Sequence, residues 1–455
     1  MTNLFTYLIV SIVAFSGILF GFDTGVIAGV LEPIIAHFHL TTVQTEFMVS
    51  SVLLGALFGA CASGKVSDIY GRRAILFSAV ACFIVGTLAS ALAINVLMLV
   101  VGRTILGLAI GITSFTAPLY ISEVAPAAHR GSLVILNTVM VTFGIVIAYG
   151  VDFIFSTTAA WRWILGIGII PAIFMGVGLL FLPKSPRWLM KKGKTRLAHS
   201  ILSRIRSTAA VAQHELSEIQ QIISKEKSYK KYSTISLYRS HFRPILLIGM
   251  ALAVIQQVTG INVILYYAPL VMHMIGFKLL WAKTLRTMGL GVTNFLMTIV
   301  ALCLVDKVGR RFLLLIGLAG MVVSLMIVAI GLSSSFSSTF HWICFVALIL
   351  FVAFYALSIG CLFWLLISEI YPLEIRGQAM SIAATANWAA NFIVTLTFLS
   401  LTKLLGVHWT FGLYGGIGLF SLIFCYYFVP ETKRVSLERI ERNLLEHKLL
   451  RKLGE

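Results

Sequence analysis

The chain has 455 residues, of which 59% are hydrophobic and only 11% are charged, and its mean hydropathy is +0.97. A soluble globular protein of this length does not have such a composition, so we interpret the chain as a polytopic membrane protein. The formal net charge of +18 is also typical of nucleic-acid-binding proteins. The basic residues, however, are concentrated between the apolar runs and in the tail, which is the positive-inside pattern and argues against a nucleic-acid partner.

Twelve apolar runs are long enough to cross a bilayer as helices. In chain order they lie at about 5–30, 45–66, 74–95, 97–120, 132–155, 161–182, 243–272, 285–305, 311–332, 341–368, 378–402 and 409–429. We predict an N-terminal six-helix bundle (1–183), a helical linker (184–242), a C-terminal six-helix bundle (243–430) and a tail (431–455). Because most of the 35 lysines and arginines fall on one side of these spans, we expect both termini in the cytoplasm.

The two halves of the chain carry the same motifs at matching places. "SDIYGRRAIL" (67–76) follows the second span and "VDKVGRRFLL" (305–314) follows the eighth. "SEVAPAAHRG" (122–131) ends the fourth span and "SEIYPLEIRG" (368–377) ends the tenth. This internal repeat predicts an all-α membrane protein of two pseudo-symmetric bundles, and such duplicated halves bind their substrate between them near the membrane midplane.

The first span carries a glycine stripe and one acid. Gly17, Gly21, Gly25 and Gly29 recur every fourth residue, so they lie on one side of the helix and allow a neighbouring helix to approach closely. Asp23 is turned about 200° away from Gly21 and Gly25. A carboxylate at this depth is costly and usually functional, although solvent at the outer helix end is the alternative explanation.

Arg103 is the base at a comparable depth. The fourth span runs opposite to the first, so both charges fall in the outer half of the membrane and can form a pair. Pairing would favour the ionised form of Asp23, and loss of the pair would favour its protonation. The alternative for Arg103 is that its side chain extends to the outer interface.

Ten motifs in this order resemble the sugar porter family of the major facilitator superfamily over essentially the whole chain. They are "GFDTGVIAG", "GRR" with Asp68, "GRTILGLAIG", "SEVAPAAHRG", "PKSPRWL", "QQVTGINVILYYAP", "VDKVGRR", "SEIYPLEIRG", "NWAANF" and "VPETKR". The resemblance implies the major facilitator fold with short cytoplasmic helices between the bundles, alternating access, and a monosaccharide or polyol substrate such as a hexose, a pentose or inositol.

The resemblance also implies roles for single residues. In proton-coupled sugar porters the acid of "GFD" and the arginine of "GR" couple transport to protons, which assigns Asp23 and Arg103 to that role. Facilitators of the family commonly have asparagine at the acid position. We therefore expect a proton symporter, with an uncoupled facilitator and a non-transporting sugar sensor as alternatives.

The substrate site is expected at amide and aromatic side chains within the spans. Amides both donate and accept hydrogen bonds, which suits sugar hydroxyls, and tryptophan offers a flat apolar face with one N–H. Interhelical hydrogen bonding is the alternative role of such amides. The predicted substrate-binding residues are Phe20, Thr138, Gln256, Gln257, Asn262, Tyr267, Asn294, Gly360, Trp364, Asn387 and Trp388.

A second set of charged residues is predicted to gate the cytoplasmic side. Its members are Asp68, Arg72, Arg73, Glu123, Arg130, Arg187, Asp306, Arg310, Arg311, Glu369 and Arg376. Their matching places in the two halves predict two charge networks that hold the bundles together when the inner side is closed. Topology signals alone would produce a similar set, and both explanations can hold together.

Three positions depart from the family pattern. Thr138 stands where a substrate-binding glutamine is usual, Lys184 replaces the usual acid of "PKSPRWL", and the tenth span lacks the usual prolines, so Gly360 is the expected hinge. No nucleotide-binding loop, metal cluster or nucleophile–base pair is recognisable. We therefore expect no enzyme, cofactor or metal, but a monomer in the plasma membrane, most simply a bacterial inner membrane.

Overall fold

The computed structural model describes residues 4–126, 130–156, 160–206, 208–228, 242–277, 279–333, 338–372, 375–433, 443 and 451. The first half contains α1 (Leu4–Phe38), α2 (Thr42–Tyr70), α3 (Arg72–Ala91), α4 (Val96–Val124), α5 (Arg130–Phe155), α6 (Trp161–Gly166) and α7 (Ile169–Phe181). The linker contains α8 (Pro186–Lys191), α9 (Thr195–Ile205) and α10 (Ala209–Ser228). The second half contains α11 (Arg243–Val258), α12 (Ile261–Tyr266), α13 (Ala268–Ile275), α14 (Leu280–Val308), α15 (Arg310–Ser333), α16 (Ser338–Leu357), α17 (Ile359–Ile370), α18 (Arg376–Leu405) and α19 (Val407–Phe428).

Twelve stretches of the described chain are long and apolar enough to cross a membrane, six in each half. We number them spans 1 to 12. Helices α6 and α7 together form span 6, α11 and α12 form span 7, and α16 and α17 form span 10. The predicted all-α class, the twelve spans and the short helices between the halves are therefore confirmed. The predicted end of span 1 is wrong, because its helix continues to Phe38 rather than ending near residue 30.

The linker helices define the two ends of the molecule. The Thr6 hydroxyl at the start of span 1 donates to the carbonyl of Ile205 at the end of α9, at 2.9 Å. We call this the linker end and the opposite one the far end. Odd-numbered spans run from the linker end to the far end and even-numbered spans run back, so α2 begins at the far end and α18 finishes there.

The glycine stripe of span 1 packs against span 5, as the sequence predicts. A Cβ added at Gly21 would lie 1.8 Å from the carbonyl oxygen of Val141, and one at Gly25 would lie 2.6 Å from the Cβ of Ala148. The two backbones therefore approach so closely that alanine does not fit. This packing fixes the face of span 1 that points at span 5 and leaves Asp23 directed elsewhere.

Each half makes the same turn between its second and third spans. Gly71 and Gly309 follow α2 and α14 with φ of 92° and 108°, a conformation that other residues rarely adopt. The "GRR" motif of each half requires its glycine for this reason. The two halves then meet along span 2 against span 11 and span 5 against span 8.

Candidate functional site

Asp23 and Arg103 lie together in the interior of the first half. Arg103 Nη1 is 3.6 Å from Asp23 Oδ1, and the two side chains are only 1% and 5% exposed. The predicted proximity of the two charges is thus confirmed, whereas a role in coupling stays a prediction. The distance is an ionic contact rather than a hydrogen bond, so the pair is held by charge in a setting where few other polar groups compensate it.

A small cavity next to the pair contains further polar groups. Asp23 lines it together with Thr87 and Ser90 of span 3, and with Phe22 and Leu165 among its apolar neighbours. The hydroxyls of Thr87 and Ser90 are buried without a hydrogen-bond partner among the described residues, as are Nε and Nη1 of Arg103. These donors are therefore available to form new hydrogen bonds when the charge of Asp23 changes.

Amides of spans 7 and 11 form a connected cluster in the second half. Asn387 Nδ2 donates to Gln256 Oε1 at 2.7 Å, and Gln257 Nε2 donates to Asn387 Oδ1 at 3.0 Å. Asn262 Nδ2 donates to Gln257 Oε1 at 2.5 Å. The structure therefore brings four predicted substrate-binding residues together, and in this conformation they bond to one another, as the interhelical alternative foresaw.

The amide cluster lies next to interruptions in the helices of spans 7 and 10. Span 7 breaks at Gly260, whose φ is 89°, between the two glutamines and Asn262. Span 10 breaks at Ser358 (φ −119°, ψ −112°), where α16 ends and α17 begins. Gln256 Nε2 donates to the carbonyls of Ile359 and Gly360 beyond that break, at 3.2 and 3.3 Å.

The expected hinge at Gly360 is accordingly displaced. The helix is interrupted two residues earlier, at Ser358, whose hydroxyl donates to the carbonyl of Phe354 at 2.6 Å. Gly317 lies so close that a Cβ there would be 2.1 Å from the Cβ of Ser358. Span 10 is thus interrupted without a proline. The Ser358 hydroxyl hydrogen-bonds a carbonyl of the preceding turn, and Gly317 of a neighbouring span leaves room for the serine.

Two aromatic residues connect the halves at the level of the amides. The rings of Phe20 in span 1 and Trp388 in span 11 have centroids 5.6 Å apart. Trp388 is 4% exposed, and its Nε1 has no hydrogen-bond partner among the described residues. Trp364 lies one turn beyond Gly360, is 36% exposed and contacts Phe363.

The remaining predicted substrate residues lie in different surroundings. Tyr267 is fully buried and donates to the carbonyl of Thr395 at 3.1 Å, so its hydroxyl is already engaged within the second half. Asn294 in span 8 is 4% exposed. Thr138 is half-buried on span 5, on the side that carries Ile145 and Tyr149 seven and eleven residues further on. A binding role for these residues stays a prediction.

Five of the eleven predicted gate residues form one network per half at the linker end. Arg72 contacts both Asp68 and Glu123 at 2.9 Å, and Arg310 Nη2 contacts Glu369 at 3.0 Å. The ion pairs that the described residues show in each network lie within one half and do not join the bundles in this conformation. The side chains of Arg130, Asp306 and Arg376 lie outside the described residues, and Arg187 is half-buried at the start of α8.

Arg73 and Arg311 differ from the prediction. Arg73 Nη2 donates to the carbonyl of Leu180 at 2.9 Å, and Arg311 Nη2 donates to that of Tyr426 at 2.6 Å. Each arginine therefore binds the end of the last span of its own half. The reason is geometric: adjacent residues of a helix point about 100° apart, so only the first arginine of "GRR" faces the acid of its half.

Contacts between the halves at the far end were not foreseen from the sequence. Lys283 Nζ binds Glu32 at 2.7 and 2.9 Å, and the backbone N–H and hydroxyl of Ser400 donate to the buried Glu46 carboxylate, each at 2.6 Å. The Tyr149 hydroxyl donates to the carbonyl of Leu265 at 2.8 Å. The predicted spans leave Glu32 beyond the end of the first apolar run and place Glu46 at the edge of the second, so neither was singled out.

Asp152 is a second buried acid that sequence reasoning missed. It is 3% exposed in span 5, and its Oδ2 accepts from the backbone N–H of Gly29 at 3.0 Å. The same argument that singled out Asp23 applied to it. It lies three residues before the end of the predicted fifth span, where a carboxylate is easily attributed to the solvent-exposed helix end.

Comparisons with known proteins agree with this architecture. Residues 9–444 match the profile of the family described as "Sugar (and other) transporter". The galactose-proton symporter of Escherichia coli strain K12 is 41% identical over 455 residues, which cover 99% of this chain and 96% of that protein. The arabinose-proton symporter of the same strain is 38% identical over 97% of this chain and 94% of that protein.

A solved structure with the same fold is the xylose transporter XylE from E. coli in a partially occluded inward-open conformation. Its TM-score is 0.83 at 30% sequence identity, and the match covers 94% of this chain and 99% of that one. The match extends through both halves, as the family profile does. The chain therefore belongs to the sugar transporter family of the major facilitator superfamily, a family of multi-pass membrane transporters rather than enzymes.

Proposed function

We propose that this chain is a proton-coupled symporter that imports a neutral monosaccharide or polyol by alternating access. The buried Asp23–Arg103 pair carries the proposal, because it is a titratable ion pair in the first half, next to a site suited to uncharged hydroxyls in the second. Relatives described as galactose-proton and arabinose-proton symporters support both the sugar and the proton. The substrate is a hexose, a pentose or inositol.

The proposed substrate site lies between the halves. Phe20 and Trp388 provide ring faces, and Nε1 of Trp388, for which the described residues supply no partner, donates to a substrate hydroxyl. Gln256, Gln257 and Asn387 exchange some of their mutual bonds for bonds to the substrate. Amides suit this exchange because each can both donate and accept, and no charge needs to be compensated.

The positive-inside pattern supports one orientation of the protein in the membrane. We place the linker end and both termini in the cytoplasm, with the two bundles (1–183 and 243–430) as the moving units of a monomer in a bacterial inner membrane. The bonds between the halves at the far end then close the outer side, which corresponds to an inward-facing state. In the outward-facing state the linker-end networks take over that closing role.

Proton coupling acts through the charge of Asp23. With Asp23 ionised, Arg103 has its counter-ion. When Asp23 binds a proton, Arg103 is left without one and must find acceptors elsewhere, which changes the packing of spans 1 and 4. The two charge states thus favour different arrangements of the first half, and a substrate that prefers one of them couples its own movement to the proton.

The deciding experiment compares two kinds of uptake in the same proteoliposomes. Asp23→Asn keeps the shape of the side chain but cannot titrate, so we expect it to lose uphill accumulation driven by a pH gradient. Sugar counterflow should persist, because the amides and Trp388 are intact. Glu218→Gln, a neutralised acid on the exposed surface of α10, is the matched control and should retain both activities.

The outcomes separate the candidate functions. If Asp23→Asn accumulated sugar as the unmodified protein does, Asp23 would be structural and the coupling proposal would fail. If the unmodified protein showed counterflow but no pH-driven accumulation, it would be an uncoupled facilitator. If it bound sugar without any counterflow, a non-transporting sensor would be favoured.

A further inference from the structure

Asp152 is the one buried acid of span 5, and the proposed coupling pair does not use it. It lies one turn before the helix ends at Phe155, yet only 3% of its surface is exposed. Its Oδ2 accepts from Gly29 N–H, whereas Oδ1 is buried without a hydrogen-bond partner among the described residues. A carboxylate with one bare oxygen in an apolar interior carries a large desolvation cost, which binding of a proton removes.

Charged groups on the spans that pack against span 5 are engaged with other partners. On span 1, Glu32 pairs with Lys283 of span 8, and on span 4, Arg103 pairs with Asp23. On span 6, Arg162 donates to the carbonyl of Ala93 at 3.0 Å, and on span 8, Arg286 lies over the Phe277 ring at 3.9 Å. The titratable neighbour on span 5 itself is Tyr149, one turn away. Among the described residues, no cation lies within ion-pair distance of Asp152.

The last glycine of the stripe accommodates this carboxyl group. A Cβ at Gly29 would lie 2.1 Å from the Asp152 Cγ and 2.3 Å from its Oδ1. Pro33, four residues further on, has no N–H, so the Gly29 carbonyl lacks its normal helical donor. Span 1 therefore offers a donor, and a carbonyl without its normal helical donor, close to Asp152, which suits a protonated carboxyl group better than an ionised one.

Buried hydroxyls continue from Asp152 towards Asp23. Gly29 is six residues beyond Asp23, about 9 Å along the helix. Tyr149 donates to the carbonyl of Leu265, and the hydroxyl of the following residue, Tyr266, contacts Thr24 beside Asp23. Asp152 thus lies on the far-end side of the Asp23–Arg103 pair, next to bonds between the halves that must open when the far end opens.

We propose that Asp152 is a second proton-binding site, through which the proton passes between the far end and Asp23. Opening of the far end admits water to Asp152, and its carboxylate accepts a proton there. The proton then passes from Asp152 to the ionised Asp23, so Asp152 becomes a carboxylate again, Asp23 becomes a neutral carboxyl group, and the negative charge moves from Asp23 to Asp152. The relay role of Asp152 rests on the proposed symport. The binding of a proton at Asp152 does not depend on it.

The first test measures protonation directly. Infrared difference spectra of the full chain in lipid are recorded across a pH titration for the unmodified protein, Asp152→Asn, Asp23→Asn and Glu218→Gln. We expect a buried protonated-carboxyl band that Asp152→Asn loses and the other two variants retain. If Asp152→Asn leaves every carboxyl band unchanged, the proposal is overturned. Asparagine can still accept from Gly29 N–H, and Asp152→Ser, which is smaller, replaces it if the asparagine variant does not fold.

The second test asks whether the site serves transport. In proteoliposomes, Asp152→Asn should slow the initial rate of pH-driven uptake while counterflow keeps its rate. If pH-driven uptake by Asp152→Asn keeps the rate and pH dependence of the unmodified protein, the relay role is wrong. A missing pH-driven uptake in the unmodified protein would contradict the symport proposal instead, and the infrared result would still decide whether Asp152 binds a proton.

Discussion

The indole N–H of Trp388 is buried without a hydrogen-bond partner among the described residues. A buried donor left unsatisfied costs about 1–3 kcal/mol, and a substrate hydroxyl that accepts from it recovers that cost on binding. The amides beside it are already bonded to one another, so they gain less from the substrate. Among the residues of the proposed site, Trp388 is therefore the one whose hydrogen bond to the substrate should contribute most to the free energy of binding.

Trp388→Phe should therefore weaken sugar binding more than it weakens the fold. Phenylalanine keeps a ring next to Phe20 and removes only the donor, so we expect a loss of affinity of roughly 2- to 10-fold, which corresponds to one hydrogen bond. Sugar-induced thermal shifts measure the affinity. Trp409→Phe, at a tryptophan that is 66% exposed on span 12, is the control and should bind sugar normally. Equal affinities for both variants would contradict a contact at Nε1.

Thr138 offers a test of specificity. It lies on the side of span 5 that carries Ile145 and Tyr149, and Gly291 of the second half packs against both of those residues. Thr138→Gln introduces a longer side chain with both a donor and an acceptor on that side. We expect a changed order of preference among hexoses, pentoses and polyols in competition uptake, with little change in melting temperature. An unchanged order would argue against a substrate contact at position 138.

The two halves differ at the start of their third spans. Glu431 accepts from the backbone N–H groups of Arg310 and Arg311, each at 3.1 Å, and so satisfies two orphan donors at the beginning of α15. The corresponding residue of the first half is Lys184, and α3 begins without a side-chain cap. Because Lys184 replaces the usual acid, the start of α3 lacks the hydrogen-bond acceptor that Glu431 provides for α15.

Lys184→Glu should restore this acceptor and stabilise the first half. A helix cap contributes about 1 kcal/mol, and a carboxylate also interacts favourably with the positive end of the helix dipole, so we expect a higher melting temperature. Lys192→Glu is a matched control, because Lys192 lies 6.0 Å from the Trp188 ring and Lys184 lies 5.9 Å from it. A rise in both variants, or in neither, would show that capping of α3 is not the cause.

The fold was largely predictable from the sequence, and the site only in part. Long apolar runs, the repeated "GRR" turns and the glycine stripe are patterns of residues close together in the sequence. They were sufficient to predict the twelve spans and the Asp23–Arg103 pair. Glu46, Glu32 and Asp152 were missed because their hydrogen-bond and ion-pair partners lie more than 100 positions away. The break at Ser358 depends likewise on room left by Gly317 of another span.

The molecule as a whole is held in its present conformation by polar bonds between the halves at the far end. Glu46 is 2% exposed and binds Ser400 through both carboxylate oxygens, while Lys283 and Glu32 join spans 8 and 1 nearby. In the described part of the chain, the ion pairs of the linker-end networks lie within single halves and do not oppose separation there. In alternating access the balance between the two states therefore depends on these far-end bonds.

Glu46→Gln should shift this balance towards the state that is open at the far end. Glutamine has one accepting oxygen instead of two and no charge, and a hydrogen bond to a charged group is worth about 1.5–3 kcal/mol, roughly a 10-fold or larger change in the ratio of states. Spin labels report the shift. Labels at Val43 and Leu404, both exposed at the far end, should move apart, while labels at Tyr70 and Phe312, both exposed at the linker end, should approach each other.

A second variant distinguishes rocking of the halves from local loosening. Lys283→Met removes the other far-end ion pair without touching Glu46 or Ser400, so rigid halves predict the same opposite changes at the two ends. Because one opening then breaks both bonds together, the double variant should favour the open state by about the sum of the two free energies. If the far-end distance grew in Glu46→Gln while the linker-end distance stayed fixed, span 2 would be separating locally from span 11, and the far-end bonds would not control alternating access.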